Sequence, residues 1–96
     1  MSPAQSGSLS LKVILPRRLA VEGDVLEVQL PSLDGTLGVL PGHRPMVLAL
    51  GRGPLTYKDE KHEARLSIRG GYAEVGPDAV LVFTELSDDK DASSAG

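Results

Sequence analysis

The chain has no cysteine among its 96 residues. That excludes a disulfide framework and any thiolate metal site. It has no tryptophan, two tyrosines and one phenylalanine, too few rings for a stacking platform on single-stranded nucleic acid. The two histidines, His43 and His62, show neither HxH nor HxxxH spacing. A zinc site needs three or four ligands, so no metal site is expected. No apolar run approaches the ~20 residues of a membrane-spanning helix. The opening MSPAQSGS has no charged start and no apolar stretch, unlike a secretory signal. Direct transmembrane insertion is therefore not expected, and any membrane association should run through partners.

A basic excess is missing as well. The net charge is −3, from ten Lys/Arg and thirteen Asp/Glu. Outside Leu9–Thr84 lie only Lys90, Glu85, Asp88, Asp89 and Asp91, which leaves nine residues of each sign in the body. A nucleic-acid binder needs a basic face, and the one basic doublet, Arg17-Arg18, is more simply a solvated edge. Nucleic acid is thus excluded as a partner.

What the chain does have is short apolar alternation between frequent turn signals. Leu9, Leu11, Val13 and Leu15 fall on one side of a strand, and Ser10, Lys12 and Ile14 on the other. Arg17–Glu22 makes a short strand or edge, and Gly23-Asp24 a turn. From Val25 to Leu30, alternation puts Leu26, Val28 and Leu30 inward and Glu27 and Gln29 outward. Met46–Leu50 is apolar throughout, as in a strand buried on both faces. Gly51-Arg52-Gly53-Pro54 predicts a turn. Leu55–Lys58 and His62–Arg69 flank a charged tip at Asp59-Glu60-Lys61. Gly70-Gly71 is a turn or bulge, Tyr72–Val75 a strand, Gly76-Pro77-Asp78 a turn, and Ala79–Thr84 a closing strand. Short strands with turns every eight to ten residues predict an all-β sandwich or barrel. No amphipathic helix is present. The domain is expected at 9–85, between a disordered extension at 1–8 and a disordered acidic tail at 86–96.

The chain is organised around Asp34–Pro45, DGTLGVLPGHRP. Asp34-Gly35 is a turn signal, because Gly accepts positive φ and Asp bonds its own backbone. Gly38, inside the short Thr36–Leu40 strand, predicts a bulge or a close backbone approach. Pro41 and Pro45 fix φ and push Leu40 and Arg44 toward extended conformations. The result is a stiff loop that holds His43 in one direction. A partly apolar, exposed and rigid loop is the mark of a contact surface; the bland alternative is a connector between strands.

Catalytic equipment is missing. His43 as a general base would need a nucleophile and an orienting carboxylate, and no GxSxG is present. Gly51-Arg52-Gly53 and Arg69-Gly70-Gly71 are Gly-rich but neither leads into a helix, as a phosphate-binding loop would. His62 at the charged tip is a solvated side chain. A small hydrolase is disfavoured, and no cofactor or small-molecule substrate is expected. A stand-alone β-sandwich that binds a ligand such as carbohydrate is the remaining alternative, but Tyr57, Tyr72 and Phe83 are few for lining a groove.

The stretch from Asp34 to Leu50 resembles the corresponding stretch of the epsilon subunit of F-type ATP synthases, called delta in mitochondria. The family pattern falls on Asp34, Gly35, Leu37, Gly38, Pro41, Gly42, His43 and Pro45. A second block, Ile68–Phe83, resembles the family's Gly-Gly, aromatic, Glu-Val and Pro-Asp segment, and the opening LKVILPRRLAVEGDVLEVQLP fits as well. The resemblance covers Leu11 to Glu85. It implies a flattened sandwich of about ten strands and a non-catalytic rotor subunit. Such a subunit packs on gamma and touches the c-subunit ring, on the cytoplasmic face of the bacterial plasma membrane as a peripheral part of the complex. It implies a partner-binding set of Ser32, Asp34, Gly35, Thr36, Pro41, Gly42, His43, Arg44 and Pro45. The Asp34 turn, through Ser32, Asp34, Gly35 and Thr36, would meet the ring. Arg44 departs from the small residue usual in the family. The family also continues into a C-terminal helical hairpin. The residues after Thr84 show no apolar stripe, so neither an inhibitory arm nor a nucleotide site is expected here.

Overall fold

The computed structural model describes residues 7–87. The remainder of the two segments expected to be disordered, 1–6 and 88–96, lies outside the described residues. Nine strands follow in order: β1 (Leu9–Ile14), β2 (Leu19–Val25), β3 (Glu27–Ser32), β4 (Gly35–Val39), β5 (Met46–Ala49), β6 (Arg52–Lys58), β7 (Glu63–Arg69), β8 (Tyr72–Val75) and β9 (Ala79–Phe83). No helix interrupts them. They form a five-stranded sheet of order β2-β1-β9-β8-β5 and a four-stranded sheet of order β4-β3-β6-β7. The expected all-β sandwich is what forms, with nine strands for the expected ten or so.

The alternation read from the sequence builds the core. Leu9, Leu11 and Val13 of β1 and Val80 and Val82 of β9 are fully buried, and they meet Val28, Leu30, Val39, Leu55 and Ile68 of the other sheet. Every ladder is antiparallel except β1–β9, where Leu11 pairs with Val80 and Val13 with Val82 in parallel. Thr84 is the buried polar residue among those described; its hydroxyl donates to Gly70 O at 2.6 Å.

Several local expectations change in the tertiary context. Gly23 and Asp24 lie inside β2, paired with Leu11 and Ser10, because an edge strand tolerates a side-chain-free position and a solvated carboxylate. Val25, rather than Leu26, is buried at the end of β2. The chain switches sheets there, and the inward phase slips by one residue at the corner. The hairpin after β3 turns on Leu33-Asp34, one residue earlier than expected, and Gly35 supplies the positive φ of 122° as first residue of β4. Gly38 makes no bulge: it pairs regularly with Gln29. The register shift falls instead between Val13 and Ile14. Arg52, Gly53 and Pro54 belong to β6 rather than to a turn.

Met46–Ala49 is the clearest correction. β5 is an edge strand covered on one face only, with Val47 68% exposed. At the far tip, Asp59 accepts hydrogen bonds from the backbone N–H groups of Lys61 and His62, both at 2.8 Å. These hold its carboxyl below the ordinary range. The contribution is complete above the usual Asp range and is lost as pH falls through the lowered value. His62 is exposed, as its solvated reading requires.

Gly70-Gly71 is the corner where the chain leaves β7 for β8. Gly71 has φ of +100°, and a Cβ on it would stand 1.9 Å from the carbonyl oxygen of Phe83. Leu50 N donates to Gly71 O at 2.9 Å, and Gly70 N donates to Gly51 O at 3.1 Å. The corner thus ties β5, β6 and the end of β9 together. Gly71→Ala is expected to cost more than ~3 kcal/mol, since both the dihedral and the backbone contact forbid it. Gly70, with φ of +72° but open space around it, should cost about 1–2 kcal/mol as alanine. Urea unfolding of the two variants checks the contrast.

Candidate functional site

The nine residues picked out in the sequence fall into two groups. Ser32, Asp34, Gly35 and Thr36 form the β3–β4 hairpin end. Ser32 Oγ accepts from Asp34 N at 3.1 Å and donates to Gly35 O at 2.5 Å, which fixes the turn. Leu33 at its tip is 71% exposed. The hairpin is pinned to the end of β5 by a Ser32–Leu50 bridge and by Leu33 N donating to Ala49 O at 3.3 Å. Ser32–Leu37 and Met46–Ala49 enclose an open groove of about 620 Å³.

Pro41, Gly42, His43, Arg44 and Pro45 form the second group, between β4 and β5. Gly42 has φ of +90°. Its N–H donates to Pro77 O at 2.9 Å, which ties this loop to the β8–β9 turn. His43 N donates to Leu40 O at 3.2 Å, and His43 Nδ1–H donates to Arg44 O at 2.7 Å. The imidazole is therefore held by its own loop, half-buried, with Arg44 and Pro45 exposed beside it. The two groups sit at opposite ends of β4 and β5. Leu37–Val39 of β4 and Leu40 lie between Thr36 and Pro41, a span of about 16 Å for extended chain. They form two separate groups rather than one site.

A third surface, absent from the sequence reading, joins them. On the outer face of the five-stranded sheet, register places Leu19 beside Ile14, Ile14 beside Phe83, Phe83 beside Tyr72, and Tyr72 beside Ala49. This is an apolar row across all five strands. The Tyr72 and Phe83 rings stack at 4.9 Å and 24°. Leu19 is 45% and Tyr72 44% exposed. Leu81 and Val47 extend the patch in the next row, where Glu74 stands between them. The outer face of the other sheet is unlike it: Gln29, Thr56 and Arg65 line up there, next to Glu27, Lys58 and Glu63. An uncovered apolar face on one sheet, set against a polar face on the other, marks an interaction surface. Its signal was present in the sequence, since Ile14 occupies the polar phase of β1 and Ala79–Phe83 has no polar phase.

Chemistry other than contact finds no constellation here. Among the described residues, no three His, Asp or Glu side chains gather as a metal site, and no buried side-chain polar atom lacks a partner. No helix of the described residues is long and apolar enough to cross a membrane.

Comparison with known proteins agrees with the geometry. The profile of the ATP synthase delta/epsilon chain β-sandwich domain matches residues 8–86. The ATP synthase epsilon chain of Solibacter usitatus is 42% identical over 81 residues, covering 84% of this chain and 60% of that one. The epsilon chain of Moorella thermoacetica is 35% identical over 82 residues, covering 84% and 61%. This chain therefore spans about three-fifths of the length of these relatives. Among solved structures, a chain of the Euglena gracilis mitochondrial ATP synthase, in an OSCP/F1/c-ring assembly, superposes with a TM-score of 0.76 at 23% identity. It covers 92% of this chain and 61% of that one, and it shows the shared fold.

His43→Ala is expected to cost the isolated domain about 1 kcal/mol, the worth of its one side-chain hydrogen bond, and, where the loop is a docking point, to weaken partner binding by more than that. Thermal melts paired with a binding titration check this. A large drop in melting temperature with unchanged binding would make His43 a purely structural residue.

Proposed function

We propose that this chain, which belongs to the delta/epsilon family of ATP synthase subunits through its β-sandwich domain, is a non-catalytic rotor subunit of the central stalk. It joins the gamma subunit to the c-subunit ring, so that ion-driven rotation reaches the catalytic head. The observation that carries this reading is the apolar row Leu19–Ile14–Phe83–Tyr72–Ala49, flanked at the two ends of β5 by preorganised loops. A mechanical coupler needs two rigid contacts held apart by a stiff body. The sandwich supplies the body, the apolar face and the Pro41–Pro45 loop supply the gamma contact, and the Asp34 hairpin, with Ser32, Gly35 and Thr36, supplies the ring contact. Preorganised loops lower the ordering cost of binding. An apolar interface core suits a lasting association.

In this role the chain works on the cytoplasmic face of the bacterial plasma membrane, as a peripheral member of the complex. It needs no cofactor and no small-molecule substrate. The epsilon chains of Solibacter usitatus and Moorella thermoacetica, both bacterial, support that setting.

Two measurements test the assignment of faces. Tyr72→Ser should weaken gamma binding about 30-fold, the ~2 kcal/mol of an interface hot spot. Gln29→Ala, on the outer face of the other sheet, should change it less than twofold. Equal effects in an equilibrium titration would show that the apolar face is not the docking face. In the assembled enzyme, a cysteine at Thr36 should cross-link to the polar loop of the c-ring. Cross-links to catalytic-head subunits alone would contradict the placement of the Asp34 hairpin.

A further inference from the structure

We propose that Arg52 and Arg69 form a receptor, at the rim of the apolar face, for a carboxylate side chain carried by the partner seated there. The inference rests on the rotor-subunit reading and names one feature of the partner's chemistry. Arg52 and Arg69 stand directly opposite each other across the β6–β7 ladder. Like charges in that position repel. Elsewhere among the described residues, directly opposed charges have opposite sign: Lys12 faces Glu22, and Lys58 faces both Glu27 and Glu63. The arginine pair is the exception.

It is also undercompensated. Glu85 answers Arg69 through a single oxygen, Oε1, which lies 3.3 Å from both Nε and Nη2. Strong charge-assisted bonds are nearer 2.7–2.9 Å, and guanidinium–carboxylate pairs are commonly bidentate. Among the described residues, no carboxylate pairs with Arg52. Of the two guanidinium groups, Arg69 alone has a carboxylate among the described residues, and that carboxylate is half-used.

Position makes this more than a surface accident. Both arginines line an open groove of about 820 Å³ whose other walls include Ile14, Tyr72 and Phe83. Those three belong to the apolar row. The groove runs from the row round the Gly51 and Gly70-Gly71 corner to the arginines, which their strands carry on the outer face of the four-stranded sheet, and an acidic residue of the partner that reaches over that corner completes the charge balance. Planar guanidinium forks favour a carboxylate in that geometry. A protein surface with an acidic residue beside apolar ones is therefore the occupant that charge and continuity select. An anionic lipid headgroup meets only the charge.

The experiment uses the whole chain. Its affinity for gamma is titrated at 50 and 300 mM salt for the wild type, Arg52→Gln, Tyr72→Ser and the combined variant D88N/D89N/D91N. Arg52→Gln should weaken binding at least tenfold at low salt and flatten the salt dependence. The free chain's melting temperature should hold or rise, because a repulsion is removed. If the wild type binds, Tyr72→Ser weakens binding by the expected 30-fold or so and Arg52→Gln binds like the wild type, this inference alone is overturned. If the wild type does not bind gamma, the rotor reading fails and takes this inference with it. If D88N/D89N/D91N lowers the melting temperature and that loss disappears in the Arg52→Gln background, the carboxylate comes from the chain itself and the proposal is wrong. Arg52-dependent binding of the free chain to phosphatidylglycerol vesicles, with gamma binding unaffected by Arg52→Gln, would assign the groove to a headgroup instead.

Discussion

The parallel pairing of β1 with β9 is the constraint on which the rest depends. It joins residues about seventy positions apart, Ser10 to Ala79 at one end and Ile14 to Phe83 at the other. Closing so long a loop carries an entropic cost that only dense contact repays. Repayment comes from Leu9, Leu11, Val13, Val80 and Val82, all fully buried at the centre of the five-stranded sheet. With that pair in place, β2 and β8 add antiparallel on either side, and β5 adds to β8. The β6–β7 hairpin and the β3–β4 hairpin then supply the opposing sheet. Such a topology favours slow folding, since most of the contacts are long-range.

The same pairing fixes what faces outward. A strand's side chains alternate with a period of two, so burying Leu11 and Val13 forces Lys12 and Ile14 to the outer face. On β9 the burial of Val80 and Val82 likewise exports Leu81 and Phe83. The polar choice at Lys12 is the ordinary one. The apolar choices at Ile14, Leu81 and Phe83 are not required by the fold, and the opposite sheet avoids them with Gln29, Thr56 and Arg65. Apolar side chains placed where the core does not need them are available to a partner.

Rigidity is the second property that the structure supplies. The loops that flank the apolar face are held by backbone hydrogen bonds to distant elements: Gly42 to Pro77, and Leu33 to Ala49. The Gly70-Gly71 corner ties three strand ends through the backbone of Leu50, Gly51 and the Thr84 hydroxyl. Loops held in this way keep one shape whether or not a partner is present. Backbone hydrogen bonds tie each of them to a neighbouring strand end or turn.

The sequence by itself determined the class of fold, most of the core positions and some of the turn sites. Each of these depends on local periodicity and on residues with restricted or permissive backbones: Leu9–Val13 alternating, Gly35 accepting positive φ at the Asp34 turn, Pro41 and Pro45 in a fixed loop. It also carried the family resemblance in the Asp34–Pro45 and Ile68–Phe83 blocks. What it left undecided was which partner each strand takes. Met46–Ala49 has the composition of a strand covered on both faces, and only its place at the edge of the sheet leaves Val47 open. Gly23-Asp24 and Arg52–Pro54 carry turn residues, and only pairing with β1 and β7 makes them strand. The inward phase of Val25 and Leu26 is set by the corner between sheets. The apolar row is the furthest from the sequence: Leu19, Ile14, Phe83, Tyr72 and Ala49 come from five separate strands. Periodicity says which side of its own strand a residue takes, whereas adjacency across strands is a matter of register, and register is settled by the packing of the whole core.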